Sequence, residues 1–338
     1  MSAWQRAEAR AKTAPPPSMT TDIEACVRAL SQGELVAFPT ETVYGLGADA
    51  ENPLAVRRIF EVKGRPSSHP LIVHVASAQA LGELGANLPP LAWRLAEQFW
   101  PGPLTLVVER SERVPLAVTG GQNTVGLRVP AHPIALELLR AFGRGVAAPS
   151  ANRFGRLSPT RASHVREDLG SAISHVLDGG DCEVGVESTI VDLSRGRPRL
   201  LRPGGVPREA LEQLLQSELV VETSGPVRVS GQLPSHYAPE AELVLCEAQE
   251  LDARISALHE RGARLGLLLT ASTAAPATRA CVRLPDDASA FAQALYSSLR
   301  ELDKAAVDVI LVVPPASDGM GLAVLDRLTR AAAPRPES

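Results

Sequence analysis

Lys63 is the least expected residue in this chain, because lysine is rare here. Only three of the chain's 34 basic residues are lysines. Lys63 lies in the polar stretch KGRPSSHPL, residues 63–71, together with Arg65 and His69. A lysine ammonium is a compact charge with three donors, whereas arginine presents a planar fork. A phosphate or carboxylate oxygen can demand that ammonium. The alternative is a surface lysine at a helix C-terminus, where a cation is mildly favourable.

Four further clusters place polar side chains at the ends of apolar runs. They are PTETVYGLG (residues 39–47), NTVGLRVP (123–130), PSAN (149–152) and GVESTIVD (185–192), the last followed by Arg202. Each cluster alone has an ordinary structural alternative: a turn for 39–47, an exposed strand face for 123–130, a helix cap or turn for 149–152 and a strand entry for 185–192. His74, which lies within an apolar strand, can likewise be a core histidine. Together they supply cations, hydroxyls and amides. Such a set predicts a site that binds an anionic ligand and stabilises charge in its transition state.

Several common catalytic motifs are absent from the sequence. It contains no G-x-x-x-x-G-K-[ST] phosphate loop, no G-x-G-x-x-G after a strand and no G-x-S-x-G nucleophile elbow. Its four cysteines form no CxxC pair and fit no zinc spacing, so no metal site is predicted from protein ligands. The clusters therefore indicate charge stabilisation rather than a protein nucleophile.

The elements that must position these clusters alternate between strand and helix. Short apolar runs predict strands at 35–38, 71–75, 104–108, 125–129, 146–148, 189–193 and 199–201, and amphipathic patterns predict helices at 23–30, 53–62, 78–84, 91–99 and 133–142. A second, shorter series predicts strands at 243–245, 267–269 and 307–313, with helices near 250–260, 288–302 and 321–331. Both series are typical of α/β domains, the second of a small doubly wound unit.

Composition shifts divide the chain into five segments. We predict a disordered tail at 1–18, a first α/β domain at 19–222, a linker or lid at 223–240, a small Rossmann-like domain at 241–332 and a tail at 333–338. A helix pattern begins shortly after Met19, so translation can also start there. The net charge of −4 argues against bulk electrostatic binding of nucleic acid. Neither a signal peptide nor a long apolar span is evident, and a cytoplasmic location is expected.

The five clusters together resemble the threonylcarbamoyl-AMP synthase family, which has a YrdC-like catalytic domain. The resemblance covers roughly residues 22–222 and rests on PTETVYGL, KGRP, HPL, SAN and ESTIVD, which occur in the family's order. The second half resembles the family's long form, with HYAP at 236–239 in the linker and DRLTRAA at 326–332 near the end. This implies a YrdC-like twisted mixed-sheet domain followed by a smaller Rossmann-like α/β domain.

The resemblance implies the reaction of L-threonine, bicarbonate and ATP to threonylcarbamoyl-AMP and pyrophosphate. The product would supply tRNA threonylcarbamoyltransferase proteins, and Mg²⁺ is expected with the ATP. The family's tetrad, Lys-x-Arg with Ser-x-Asn, falls on Lys63, Arg65, Ser150 and Asn152. By resemblance, the residues for threonine are Thr42, His74, Arg128 and Ser188. Those for ATP are Arg65, His69, Thr124, Asn152, Ser158, Arg202 and Tyr237.

Two rival interpretations belong to different classes. One is an RNA-binding YrdC-like module without catalysis, which the acidic net charge disfavours. The other is the related domain of hydrogenase-maturation carbamoyltransferases. Those proteins add zinc-finger cysteines and an acylphosphatase module, and neither feature is found here.

Overall fold

The structure is a computed structural model that describes residues 18–222, 225–233, 235–276, 278 and 280–334. The predicted tails fall largely outside these residues, at 1–17 and 335–338. The N-terminal tail boundary is wrong by one residue, because Ser18 begins a strand, Ser18–Thr20, that pairs in parallel with His175–Leu177.

The first domain is built on one mixed sheet, which has twelve strands among the described residues. In chain order these are β1 (Ser18–Thr20), β2 (Val36–Phe38), β3 (Gly45–Asp49), β4 (Ile72–His74), β5 (Gly85–Ala86), β6 (Leu104–Arg110), β7 (Thr124–Arg128), β8 (Val146–Ala148), β9 (His175–Leu177), β10 (Thr189–Asp192), β11 (Arg199–Arg202) and β12 (Val220–Val221). Their spatial order is β1-β9-β2-β3-β8-β4-β7-β6-β10-β11-β12, and β5 pairs with β6. The mixed-sheet prediction is confirmed.

Helices cover this sheet. They are α1 (Ile23–Ser31), α2 (Pro53–Lys63), α3 (Ala80–Leu84), α4 (Pro90–Phe99), α5 (Leu116–Thr119), α6 (Pro133–Phe142), α7 (Ala162–Leu169) and α8 (Arg208–Leu215). The pattern-based assignment missed α5, α7 and α8, because these helices are only four to eight residues long and show little periodicity. The core between sheet and helices consists mainly of leucine, valine, isoleucine and alanine.

Local sequence explains why α2 ends at the site. Asn52 caps its first turn through hydrogen bonds from two backbone N–H groups, and Pro53 occupies the first helical position. The helix stops at Gly64, whose φ of 64° lies in the left-handed region that glycine adopts without strain. Lys63 is therefore the last helical residue and faces the loop after β8.

The second domain has a four-stranded, all-parallel sheet among its described residues. Its strands β13 (Glu242–Leu245), β14 (Leu265–Thr270), β15 (Ala280–Leu284) and β16 (Val309–Val312) lie in the order β13-β16-β14-β15. Its helices are α9 (Leu251–Glu260), α10 (Ala288–Lys304) and α11 (Met320–Ala332). The predicted α/β class of this unit is confirmed, and none of its described helices is long and apolar enough to cross a membrane.

The segment between the two domains lies against both of them. The side chain of Arg330 on α11 donates to the carbonyl of Leu233 at 2.9 Å. The backbone carbonyl of Arg330 accepts from the backbone N–H of His236 at 3.2 Å. On the other side, Ala238 forms an isolated parallel bridge with Arg156. The linker is thus packed between the domains along its described residues.

Candidate active site

Several strand ends meet at one edge of the large sheet. Strands β4 and β7 are parallel neighbours with His74 opposite Arg128, so both side chains stand at the carboxyl ends of their strands. Ser188 precedes β10, which begins at the same edge because β10 pairs in parallel with β6 and β6 runs antiparallel to β7. Arg202 ends β11, opposite Ile190. Residues far apart in sequence therefore converge, as expected at the ends of strands in α/β sheets.

A small cavity of about 50 Å³ lies at this edge. Eight of the residues named from the sequence line it: Thr42, Arg65, His74, Arg128, Ser150, Ser188, Arg202 and Tyr237. Residues of the sheet, the loop after β8 and the linker line the cavity, and they are both polar and apolar. It joins in one place the residues expected for threonine and several of those expected for ATP.

The turn after β2 presents Thr42 to the cavity. Pro39 ends the strand, since proline lacks the N–H that continues a ladder. The hydroxyl of Thr40 then accepts from the backbone N–H groups of Thr42 and Val43, at 3.2 Å each, and donates to the Val43 carbonyl at 2.6 Å. This side-chain-closed turn holds the Thr42 hydroxyl 2.9 Å from Nη1 of Arg128.

Arg128 is buried at the base of the cavity and held by three partners. Its Nε donates to the Gly102 carbonyl at 3.2 Å, its Nη1 to Thr42, and its Nη2 lies 2.8 Å from a carboxylate oxygen of Glu41. The exposed-strand alternative for this arginine is excluded, because only 3% of its surface is accessible. The guanidinium is therefore charge-balanced and fixed in orientation before any ligand arrives.

His74 is buried beside this arginine and carries no charge at neutral pH. Burial and, to a lesser extent, the adjacent Arg128 together lower the pKa of its imidazole to about 3, although two backbone hydrogen bonds oppose the shift. Its Nδ1 has no hydrogen-bond partner among the described residues. Phe38 contacts the ring edge-on at 5.7 Å. A neutral imidazole in this position can donate or accept one hydrogen bond with a ligand.

Two more arginines face the cavity from its other side. Burial lowers the pKa of the Arg65 guanidinium to about 10, and nearby Arg202 contributes in the same direction, whereas Tyr237 opposes it. Burial also lowers the pKa of Arg202, and its largest other influence, Tyr237, raises it. Buried cations that disfavour one another are stabilised by an anion, so this wall of the cavity is suited to phosphate oxygens.

Lys63 does not line the cavity. Its Nζ donates to the Ser150 carbonyl at 2.6 Å and to the Asn152 carbonyl, and it lies 3.4 Å from Oδ1 of Asn152. Burial lowers the pKa of this ammonium well below its usual value, and Arg65 lowers it further, while Asp168 opposes the shift. The surface-lysine alternative is wrong, because Lys63 is buried beneath the loop that carries the Ser-x-Asn pair.

The Ser-x-Asn pair is closed locally. Ser150 Oγ donates to Oδ1 of Asn152 at 2.5 Å, and Nδ2 of Asn152 donates to the carbonyls of Arg153 and Arg156 at 2.9 and 2.7 Å. The side chain of Asn152 therefore holds its own loop together, which agrees with the alternative that this cluster is an ordinary turn. Ser150 itself lines the cavity.

The linker covers the arginine wall. Ser230 Oγ accepts from Nη2 of Arg65 at 3.2 Å, and the Ser230 carbonyl accepts from Nη1 of Arg202 at 2.9 Å. Tyr237 is buried with a φ of 60°, which is uncommon for a tyrosine and often marks functional segments. His236 packs edge-on against the Tyr237 ring, with centroids 4.1 Å apart.

Besides Lys63 and Asn152, three further predicted site residues lie around the cavity rather than in it. Thr124 is at the opposite end of β7 from Arg128 and lines a neighbouring cavity of about 20 Å³, which shares Ile72 and Ser230 with the first. His69 contacts the ring of Phe154 at 5.5 Å. Ser158 is fully buried and donates to Glu187 at 2.5 Å.

Four residues near the cavity were missed as site residues by the sequence analysis: Glu41, Glu187, Ser230 and Arg327. Glu41 and Glu187 belong to recognised clusters, so their position was available, but nothing local showed that each would face an arginine. Arg327 gave one usable signal. It is an arginine within the otherwise amphipathic helix α11, on the face that is buried.

Two family models match this chain, one after the other along the sequence. The family model Sua5–YciO–YrdC, described as telomere recombination, matches residues 28–204. The model described as the C-terminal domain of threonylcarbamoyl-AMP synthase matches residues 206–333. The chain belongs to the threonylcarbamoyl-AMP synthase family. The second match begins within the first domain, before α8 and β12, and continues through the linker and the second domain.

Relatives of the same family are similar over nearly the full chain. Threonylcarbamoyl-AMP synthase of Pyrococcus abyssi is 43% identical over 313 residues, 89% of this chain and 91% of the relative. The Bacillus subtilis family member is 41% identical, over 90% of this chain and 91% of its own. A crystal structure of P. abyssi Sua5 complexed with L-threonine superposes with a TM-score of 0.88 at 42% identity, covering 92% of this chain and 94% of that one.

Proposed function

We propose that this protein is an L-threonylcarbamoyladenylate synthase, a nucleotidyltransferase that uses L-threonine, bicarbonate and ATP. The observation that carries the proposal is that one cavity is lined by arginines in two different surroundings. Arg128, beside hydroxyls, suits an amino-acid carboxylate, and Arg65 with Arg202 suits phosphate oxygens. The complex of the P. abyssi relative with L-threonine supports the amino-acid half.

The chemistry fits a site that lacks an evident protein nucleophile. The threonine amine and bicarbonate would form a carbamate: the nitrogen bonds to the bicarbonate carbon, and water leaves with the broken C–O bond. A carboxylate oxygen of the carbamate then attacks the α-phosphorus of ATP. The bond from that phosphorus to the bridging oxygen of the β-phosphate breaks, and pyrophosphate leaves with the electron pair. Such a transfer requires positioning and stabilisation of negative charge. Buried arginines supply both, because their charge acts in surroundings of low dielectric constant.

In this proposal the residues divide into groups by ligand. Thr42, His74, Arg128 and Ser188 hold threonine, and their shared place on the cavity wall supports that assignment. Arg65, His69, Thr124, Asn152, Ser158, Arg202 and Tyr237 serve ATP. Among these, Arg65, Arg202 and Tyr237 reach the cavity directly, whereas Ser158 and Asn152 act through hydrogen bonds to their neighbours.

The Lys-x-Arg and Ser-x-Asn tetrad would work as one unit. The contacts of Lys63 with the Ser150 and Asn152 carbonyls support a role in holding that loop at the reacting phosphate. Arg65 would contact phosphate oxygens itself. Lys63 is thus assigned as the support and Arg65 as the direct contact.

Mg²⁺ enters the proposal only with the nucleotide. No group of three or more potential metal-binding side chains occurs within the described ranges. The carboxylate on the cavity wall, Glu187, already accepts from Arg327, Tyr296 and Ser158. These residues do not form a cage for a cation, so no step is assigned to one. Mg²⁺ commonly binds through substrate phosphates and water.

The product would pass to tRNA threonylcarbamoyltransferase proteins in the cytoplasm. An RNA-binding module without catalysis explains the structure less well. A small cavity with buried arginines suits small ligands, whereas a nucleic-acid interface needs exposed cations along a surface.

The test of this function is dependence of pyrophosphate release on both co-substrates. We expect release from ATP to require L-threonine and bicarbonate together and to fall to background when either is left out. The reason is that the attacking group is the carbamate, which needs both. Bicarbonate must be removed by degassing for the reaction that omits it. L-serine in place of L-threonine is the amino-acid comparison. Equal release from ATP alone would rule out the synthase proposal.

We further propose that the linker is a lid. The Ser230 oxygens occupy the inward-facing donors of Arg65 and Arg202, which the proposal assigns to phosphates. ATP must therefore displace this segment on entry, and the segment can then close over the nucleotide. Closure would exclude water from a hydrolysis-prone adenylate. Pro234, which with Pro239 would stiffen the linker, lies outside the described residues.

Limited proteolysis with trypsin measures this motion. Arg228 is the single basic residue between positions 224 and 236 and is exposed. We expect cleavage after Arg228 in the free protein to be fast. With ATP and threonine near 100 times their dissociation constants it should slow by up to about 100-fold, if cutting requires opening. The fragment produced by cleavage after Arg228 is identified by its absence in Arg228→Gln. The rate of cleavage after the exposed Arg261 is the control for a general effect of the ligands on trypsin cleavage. A ligand-independent rate at Arg228 would make the linker a simple tether.

A further inference from the structure

A buried carboxylate connects the candidate active site to the second domain. Glu187 lies in the loop before β10 and is 7% accessible. It accepts a hydrogen bond from Ser158 Oγ at 2.5 Å, within its own domain. Its other two donors come from the second domain: Tyr296 OH on α10 at 3.0 Å and Arg327 Nε on α11 at 2.7 Å.

Arg327 contacts three separate segments of the cavity wall. Beyond its bond to Glu187, its Nη2 donates to the Pro203 carbonyl at 3.0 Å, next to Arg202. Its guanidinium carbon lies 5.1 Å from the centroid of the Tyr237 ring. The side chain is 1% accessible and is not part of the cavity lining. One residue of the second domain thus reaches the strand-entry loop, the end of β11 and the linker.

The loop that carries Glu187 is hydrogen-bonded directly to residues that line the cavity. The carbonyl of Ser188, next to Glu187, accepts from Nε and Nη2 of Arg202 at 3.1 and 2.8 Å. The loop also has no room to shift toward the chain after β11, because a Cβ built on Gly204 would lie 2.3 Å from the Glu187 carbonyl oxygen. Moving the Glu187 anchor would therefore move Ser188 and Arg202 together.

Stability alone is a weak reason to bury such a group of charges. Desolvation of a buried ion pair often cancels its attraction, and apolar replacements of similar size can be equally stable. Here burial raises the pKa of Glu187, but Arg327 and Arg202, with the hydrogen bonds from Ser158 and Arg327, outweigh burial and bring it to about 2. The carboxylate is therefore ionised near neutral pH, where it accepts from Ser158, Tyr296 and Arg327.

We propose that Arg327 is a positioning residue of the active site, supplied by the second domain. It holds the loop of Glu187 and Ser188, the end of β11 at Arg202, and the linker ring of Tyr237 in the arrangement that binds substrates. This role rests on the proposed function for its kinetic consequences but not for its effect on threonine binding. The second domain would accordingly be a structural part of the catalytic centre.

The test compares Arg327→Lys and Arg327→Met with a matched interdomain arginine, Arg300→Met. Arg300 also forms a largely buried ion pair, with Asp168 on α7 at 2.7 Å, but it contacts none of the three segments. We expect both Arg327 variants to lose up to about 100-fold in kcat/KM, since small misplacements at a reacting centre have effects of that size. Arg300→Met should lower the unfolding temperature while its KM for threonine stays near the wild-type value.

Two further measurements separate positioning from general destabilisation. Calorimetry of L-threonine binding to the intact chain needs no turnover, and weaker binding is expected in Arg327→Lys, which keeps the charge and supports folding. In a double-mutant cycle, the combined loss from Glu187→Gln and Arg327→Met should be smaller than the sum of the two single losses, because the two side chains contact each other. Wild-type threonine affinity and turnover in folded Arg327→Lys would overturn the proposal. Wild-type protein without co-substrate-dependent pyrophosphate release would instead refute the proposed function.

Discussion

Arg128→Lys is expected to raise the KM for L-threonine by about 10- to 100-fold, while the KM for ATP changes little. Arg128 donates to Gly102 and Thr42 and faces Glu41 with three different nitrogens. A single ammonium cannot keep these contacts and also present a fork to a substrate carboxylate. Loss of one charge-assisted contact corresponds to roughly 1.5–3 kcal/mol.

The design of this variant avoids an unpaired buried charge. Removing the charge of Arg128 would leave Glu41 buried without its partner, which by itself destabilises the protein strongly. Lysine keeps the charge, so folding should be preserved and the kinetic effect can be read directly. Arg113→Lys, in an exposed ion pair with Glu51 and Glu83, is the matched control. If threonine kinetics in Arg128→Lys equal those of the control, threonine binds elsewhere.

Lys63→Arg is expected to lower turnover by about 10- to 100-fold although the charge is kept. The Nζ of Lys63 lies 2.6 Å from the Ser150 carbonyl and also contacts the Asn152 carbonyl, both beneath the cavity. A planar guanidinium is larger and cannot converge on these two carbonyls with the same geometry, so the Ser-x-Asn loop must shift. Loss of one such contact is worth roughly 1.5–3 kcal/mol.

Steady-state kinetics with pyrophosphate detection measures this effect, and the chain contains its own control. Lys304 is the other lysine within the described residues, and it is an exposed partner of Glu167 at 2.8 Å. Lys304→Arg should leave kcat and both KM values close to wild type, since surface ion pairs contribute little. A Lys63→Arg protein with wild-type kcat would show that only the charge matters at this position.

The local elements could be recognised because their signals are contained in short stretches. Helix α2 has a side-chain cap at Asn52, a proline at the first position and a glycine after its end, and it spans 53–63 against a predicted 53–62. The predicted strands lie within one or two positions of observed strands, but β3, β9 and β15 are among the strands that were not predicted. Where such signals were weak, as in α7 and α8, the elements were missed, because a helix of about two turns shows hardly one period of its pattern.

The site was predicted as a set of clusters but not as a set of contacts. Lys63 and Arg65 belong to one motif, yet Arg65 faces the cavity and Lys63 turns to the carbonyls beneath it. That difference depends on where α2 ends relative to the loop after β8. These two segments are 87 positions apart at the Lys63–Ser150 contact, and only packing of the helix on the sheet sets the distance.

By itself, the sequence determined the two α/β units, the linker between them and the residue types that gather near the ligand. These features follow from local periodicity, capping and turn chemistry, which act over a few residues. Only the tertiary structure decided that Arg128 is paired with Glu41, that Ser230 accepts hydrogen bonds from Arg65 and Arg202, and that Arg327 reaches Glu187 from 140 positions away. Such contacts depend on strand register and on docking of the two domains, and no local pattern specifies either.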